Sequence, residues 1–135
     1  MTDTKIIDEL LDGEHTFAVV GASNNPEKYG YKIYKQLKEK GFEVYPINPR
    51  EELIQGDKAY ENLFQLPKQV DVLNFVVPPD VNKNVTKTAF EIGYKIFWYQ
   101  PGSYDKGVLS LHDGKDNLVI SDQCLLIESG KIVKD

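Results

Sequence analysis

Short apolar runs and longer amphipathic stretches alternate along the chain. Phe17-Ala18-Val19-Val20 is uninterrupted and stops at Gly21, the pattern of a strand buried on both faces of a parallel sheet. The same reasoning predicts strands at Phe42–Asn48, Val70–Val77, Lys95–Tyr99 and Leu118–Ile120. Pro46 removes a backbone donor from the second strand, which places it near a strand end or beside irregular pairing. Between strands the apolar spacing changes to three and four. Gly30–Lys40 carries Ile33, Tyr34 and Leu37 on one side, and Gly41 ends it. Pro78-Pro79 stops the third strand; Asp80 then caps a predicted helix with the stripe Val81, Val85, Ala89 and Ile92, ended by Gly93.

Weaker patterns complete the chain. Thr4–Leu11 predicts a short helix over a sheet edge, with Ile6, Ile7, Leu10 and Leu11 on its apolar face. Tyr60–Leu66 and Tyr104–His112 are short helical candidates, Gly56-Asp57 is a turn, and a brief tail with a turn at Gly130-Lys131 follows Cys124. Alternating strand and helix builds right-handed βαβ units. The expected fold is therefore α/β: a Rossmann-like three-layer α/β/α sandwich with a mainly parallel five-stranded sheet, forming one domain over residues 1–135. The simplest strand order for it is 3-2-1-4-5.

Composition narrows the partners. An apolar fraction of 41% and a charged fraction of 27% are ordinary for a globular domain, and no apolar run is long enough to span a bilayer. A formal net charge of −5 disfavours a nucleic-acid surface but leaves room for a small anionic ligand held by a few local donors. The amino terminus lacks a secretory pattern, and a single cysteine, Cys124, cannot form an internal disulfide, so the expected location is the cytoplasm.

The loop from Gly21 to Gly30 joins a buried strand to the first strong helix, where backbone amides and Ser23 can face phosphate oxygens. Gly21 permits a sharp exit, Gly30 a close approach, and Ala22, Asn24, Lys28 and Tyr29 are further candidate contacts. No glycine stands two residues after Gly21, so this is not a dinucleotide fingerprint; the Gly-Lys-Ser/Thr ending of a P-loop is missing too. At the end of the second strand an NAD site places Asp or Glu, whereas this chain has Asn48-Pro49-Arg50. Arg50 suits an extra ribose phosphate, as in NADP or coenzyme A, and Asn48 a ribose or adenine; alternatively Arg50 pairs with Glu51 or another surface acid.

Val19-Val20-Gly21-Ala22-Ser23 with Pro26 and Gly30, Tyr45-Pro46-Ile47-Asn48-Pro49, Val76-Val77-Pro78-Pro79, Trp98-Tyr99-Gln100-Pro101-Gly102 and Asp122-Gln123-Cys124-Leu125 occur in that order. In these marks the chain resembles the small stand-alone coenzyme A-binding domain proteins, related to the nucleotide-binding domain of the succinyl-CoA synthetase alpha subunit. The resemblance implies coenzyme A or an acyl-CoA as ligand. It implies contacts at Gly21, Ala22, Ser23 and Asn24, at Asn48 and Arg50, at Val77, Pro78 and Pro79, and at Gln100, Pro101 and Gly102. The synthetase also needs a later domain with a phosphorylated histidine, which this chain does not contain, so binding transfers better than chemistry.

Only His15 and His112 are available as histidines, and with Cys124 they make no zinc spacing and no nucleophilic triad. His15 reads as surface or structural. Cys124, just after the fifth strand, is either a redox-sensitive thiol near the ligand or a small buried hydrophobe. The leading expectation is a non-catalytic carrier, sensor or regulatory protein for coenzyme A. The alternatives are an NADP-dependent oxidoreductase and a regulatory subunit that has lost its ligand; under every reading a homodimer or an unidentified protein partner stays open.

Overall fold

The computed structural model describes residues 2–133; Met1, Lys134 and Asp135, included in the expected 1–135 domain, lie outside the described residues. The chain runs α1 (Thr4–Leu10), β1 (Phe17–Val20), α2 (Tyr29–Glu39), β2 (Val44–Ile47), β3 (Leu53–Ile54) and β4 (Asp57–Lys58). A 3-10 turn (Leu63–Gln65), β5 (Val72–Phe75), α3 (Pro79–Ile92), β6 (Ile96–Tyr99), α4 (Lys106–Ser110), β7 (Leu118–Ile120) and α5 (Leu125–Gly130) follow. Five strands form one sheet in the order β2-β1-β5-β6-β7, every pairing parallel. Helices cover both faces, giving the expected Rossmann-like α/β/α sandwich.

The strand order differs from the expected 3-2-1-4-5: the third long strand, β5, pairs with β1 instead of β2. Pro46 explains it. Phe17 and Gly21 donate to the carbonyls of Glu43 and Ile47, so odd-numbered residues of this strand face β1 and Pro46 faces the other way. An interior second strand would need an N–H at that position. As an edge strand it needs only the carbonyl of Pro46, which accepts from Tyr60 N–H at 2.9 Å. β5, whose four residues are all buried, takes the interior place.

One core lies between the sheet and α1, α2 and α5, with Phe17, Val19, Ile33, Leu37, Trp98 and Leu125 at its centre. The other lies beneath α3 and α4 and contains Leu73, Phe75, Ala89, Phe97, Tyr99 and Val108. Several local expectations change. Pro78 precedes the first turn of α3 and Pro79 opens it, while Asp80 lies inside the helix and is not its cap. Pro79 suits that place because the first helical N–H needs no intrahelical partner. The face of α3 turned inward is Asn82, Thr86 and Ala89, whereas Val81 is 49% exposed. Tyr60–Leu66 forms only a 3-10 turn, and the tail after Cys124 folds as α5, seated against α2. No helix among the described residues is long and apolar enough to cross a membrane.

Candidate functional site

β1 and β5 are neighbours, but the helices that follow them pack on opposite faces of the sheet. Their loops diverge at the carboxyl ends of the strands, and such a switch point leaves a crevice where open α/β sheets bind ligands. A cleft of about 940 Å³ opens there. Its walls bring together most of the positions singled out in the sequence: Gly21, Ala22, Ser23, Lys28, Tyr29 and Gly30 from the first loop, Asn48 and Arg50 from the end of β2. Val77, Pro78, Pro101 and Gly102 line it from the loops after β5 and β6. Asn24, Pro79 and Gln100 do not line it.

The first loop is a backbone cradle. Gly21 has φ 101°, a conformation that favours glycine, and its amide donates to the Ile47 carbonyl at 3.0 Å. Gly30, in the first turn of α2, is buried directly against the Gly21 carbonyl. Ser23 Oγ accepts the Asn25 amide at 2.9 Å, which leaves the hydroxyl proton available to a ligand. The amides of Ala22, Ser23, Tyr29 and Gly30 donate to no described residue. The first turn of α2 carries no acidic side chain, so its amides and dipole face the start of the cleft, where Lys28 and Glu27 add one charge of each sign. The first turn of α3, by contrast, holds Asp80. An anionic group is therefore favoured at the α2 end.

Asn24 braces this loop from outside the cleft and Asn48 from its wall. Asn24 donates to the Leu53 carbonyl at 2.9 Å and accepts the Gln55 amide at 2.8 Å, pinning the loop to the β3–β4 hairpin. That hairpin turns through Gln55 (φ 52°) and Gly56 (φ 85°), two positive values as a type I′ turn requires. Asn48 donates to the Ala22 carbonyl at 2.9 Å and accepts the Arg50 amide at 2.8 Å. Its amide thus positions the loop from the cleft wall, where the sequence suggested a base or ribose contact as well. The exposed Arg50 side chain makes no hydrogen bond or ion pair with any described residue, Glu51 included, and lines the cleft.

The opposite wall is apolar. Val77, Pro78, Val81, Val85 and Pro101 face the cleft, with Asn84 and Thr88 beside them on α3. Sequence patterning assigned Val81 and Val85 to the core; Val85 does pack there while also lining the cleft, whereas Val81 turns to the cleft, because the two stripes share the same helical spacing. Glu61, Asn62 and Leu63 also line the cleft and carried no recognisable signal.

Gln100 is 2% exposed and holds the fold together behind the cleft. Its Oε1 accepts the Leu125 amide at 2.7 Å and its Nε2 donates to Cys124 Sγ at 3.2 Å. Cys124 itself is half-buried, immediately before α5, and does not line the cleft. His15 bonds Asp12 at 3.0 Å near the start of β1, on the far side of the sheet from the cleft. His112 is packed among Phe90, Phe97 and Tyr99, and burial pushes its pKa down.

Comparison with known proteins agrees with this architecture. An ADP-forming acetate–CoA ligase II alpha subunit of Pyrococcus furiosus is 49% identical over 79 residues, which cover 58% of this chain and 17% of that protein. The chain thus spans under a fifth of that relative's length. Protein YneT of Bacillus subtilis is 26% identical over 121 residues, 90% of each chain. A solved structure of a conserved hypothetical protein from Pyrococcus furiosus superposes with a TM-score of 0.80 at 43% identity, covering 84% of this chain and 98% of that one. The kinship expected with succinyl-CoA synthetase alpha is thereby broadened to the alpha subunits of ADP-forming acyl-CoA ligases. The coenzyme A-binding domain model matches residues 15–130, and with its backbone cradle at the sheet's switch point the chain belongs to that family of CoA-binding domains.

Proposed function

We propose that the chain binds coenzyme A or an acyl-CoA in this cleft and acts as a carrier, sensor or regulatory protein in the cytoplasm. The two-ended character of the cleft carries the reading. Its α2 end offers unpaired amides, the Ser23 hydroxyl and Lys28, which fit a diphosphate. Arg50, at the end of β2, fits the ribose phosphate that distinguishes coenzyme A from its dephospho form. Val77, Pro78, Val81 and Pro101 fit the less polar pantetheine arm and any acyl group beyond it. The stretch shared with the acetate–CoA ligase alpha subunit covers 17% of that protein, and binding and presentation of the thioester are the roles assigned here.

Calorimetry on protein stripped of copurified ligand tests the reading with coenzyme A, dephospho-coenzyme A, NAD and NADP. Tight binding of coenzyme A, weakened by loss of the ribose phosphate, is the expected result. Equal weak binding of all four overturns it, and a preference for NADP would move the chain to the oxidoreductase reading.

A further inference from the structure

A line of buried polar side chains runs from the cleft wall through the core beneath α3. Asn82 and Thr86 are 0% exposed on a helix face where apolar residues belong, and Tyr99 is 0% exposed on β6. Asn82 Nδ2 donates to the Ser103 carbonyl at 2.7 Å. Thr86 Oγ1 stands 2.6 Å from Asn82 Oδ1 and 3.0 Å from the Tyr99 hydroxyl. Tyr99 in turn stands 2.6 Å from His112 Nε2, and His112 Nδ1 lies 2.8 Å from Asn117 Oδ1.

The chain has only one consistent direction. A carbonyl only accepts, so the Ser103 oxygen fixes the amide of Asn82 with Nδ2 toward it and Oδ1 toward Thr86. Oδ1 also only accepts, so the single hydroxyl proton of Thr86 is spent on Asn82. Tyr99 must then donate to Thr86, and with its own proton spent it must accept from His112. Nε2 of His112 therefore carries a proton whether the ring is neutral or charged. With Asn117 Oδ1 toward it, Nδ1 donates as well and the ring is charged; a neutral ring requires the Asn117 amide turned so that its nitrogen faces Nδ1.

Resting on the coenzyme A reading of the cleft, we propose that His112 is a positioning residue for the ligand site, acting through Tyr99, Thr86 and Asn82 to set the Ser103 carbonyl. Ser103 closes the turn Gln100–Ser103, with its amide and hydroxyl both donating to the Gln100 carbonyl at 3.0 and 2.6 Å. Pro101, Gly102 and Ser103 all line the cleft. A shift of the Ser103 carbonyl moves that wall, so the donor on a half-buried ring beyond Tyr99 governs the shape presented to the ligand.

Two arms test the proposal. Two-bond proton–nitrogen spectra of the free protein are expected to show His112 protonated on Nε2 in its neutral form; a neutral ring protonated on Nδ1 overturns the chain. Calorimetry then compares variants. His112→Phe keeps an aromatic ring but no donor, and Thr86→Val breaks the chain at its middle; each is expected to weaken coenzyme A binding about tenfold. His112→Gln, whose amide nitrogen supplies a donor, is expected to recover most of that loss. A folded His112→Phe or Thr86→Val protein that binds like wild type, or a Gln variant no better than Phe, overturns the positioning role. If His112→Phe fails to fold, Thr86→Val decides. Absence of coenzyme A binding in the wild type refutes the proposed function instead; the nitrogen spectra, and displaced Ser103 and Tyr104 amide resonances in Thr86→Val, still decide the chain without ligand.

Discussion

A β-carbon built on Gly30 would stand 2.1 Å from the carbonyl oxygen of Gly21, nine positions earlier in the chain. The contact brings the start of α2 against the exit of β1, and it is backbone on both sides, so no rotamer can relieve it. Gly30→Ala is expected to lower stability by about 1–3 kcal/mol, the usual range for overpacking. It is also expected to weaken coenzyme A binding, because the helix start must move away from the loop. Urea unfolding and calorimetry on the same preparation check both outcomes.

Arg50 is the test of ligand choice. Arg50→Ala is expected to weaken coenzyme A about tenfold or more while leaving dephospho-coenzyme A nearly unchanged, since only the former carries the ribose phosphate. Equal losses for both ligands would remove the phosphate assignment at this corner.

Gln100 gives a contrasting expectation. Its Oε1 receives the Leu125 amide that opens α5, so Gln100→Ala leaves that amide buried and unpaired. The expected cost is about 1–3 kcal/mol of stability. Hydrogen exchange along Leu125–Gly130 should accelerate, and the ratio of affinities for coenzyme A and its dephospho form should stay fixed.

Asp57 makes part of the stability pH-dependent. Lys38 pairs with its carboxylate, and the buried Tyr34 hydroxyl donates to it at 2.7 Å. The ammonium first, and the hydroxyl second, hold the Asp57 carboxyl below its ordinary value. As pH falls, the unfolded chain takes up this proton first, near pH ~4. The contribution is therefore complete above pH ~4 and is lost as pH falls through the lower folded value. Asp57→Asn should lower the urea midpoint at neutral pH and flatten its decline on the acid side. An unchanged acid limb in the variant would assign that decline to other carboxylates.

How far the chain can be read without its structure depends on where polar groups are buried. The continuous apolar runs of β1 and β6 announce themselves, as does β5 despite Asn74 within it, and so does α2, whose lysines leave one clear apolar face. α3 misleads, because Asn82 and Thr86 fill its inward face through mutual hydrogen bonds while Val81 turns toward the cleft. α5 is short, and its seat depends on Gln36, which donates to the Leu126 carbonyl and to Ser129 from far away in sequence. The cleft follows the same division. Loop glycines and Arg50 were legible as types suited to phosphate, whereas the occupied amides of Asn24, Asn48 and Gln100 become evident only through their partners.

The proline on the outer side of β2 has a bearing on how these molecules meet one another. Exposed sheet margins are templates on which a second chain can zip, and such pairing leads to open-ended aggregates. Here the row of donors has a gap at Pro46, and Tyr60 occupies the neighbouring groups with a single-residue bridge. That margin is interrupted for strand addition around Pro46, where a partner meets the 49–66 segment instead of a continuous row of backbone groups. The residue that decides the strand order thus also protects the molecule from growing by its own most repetitive surface.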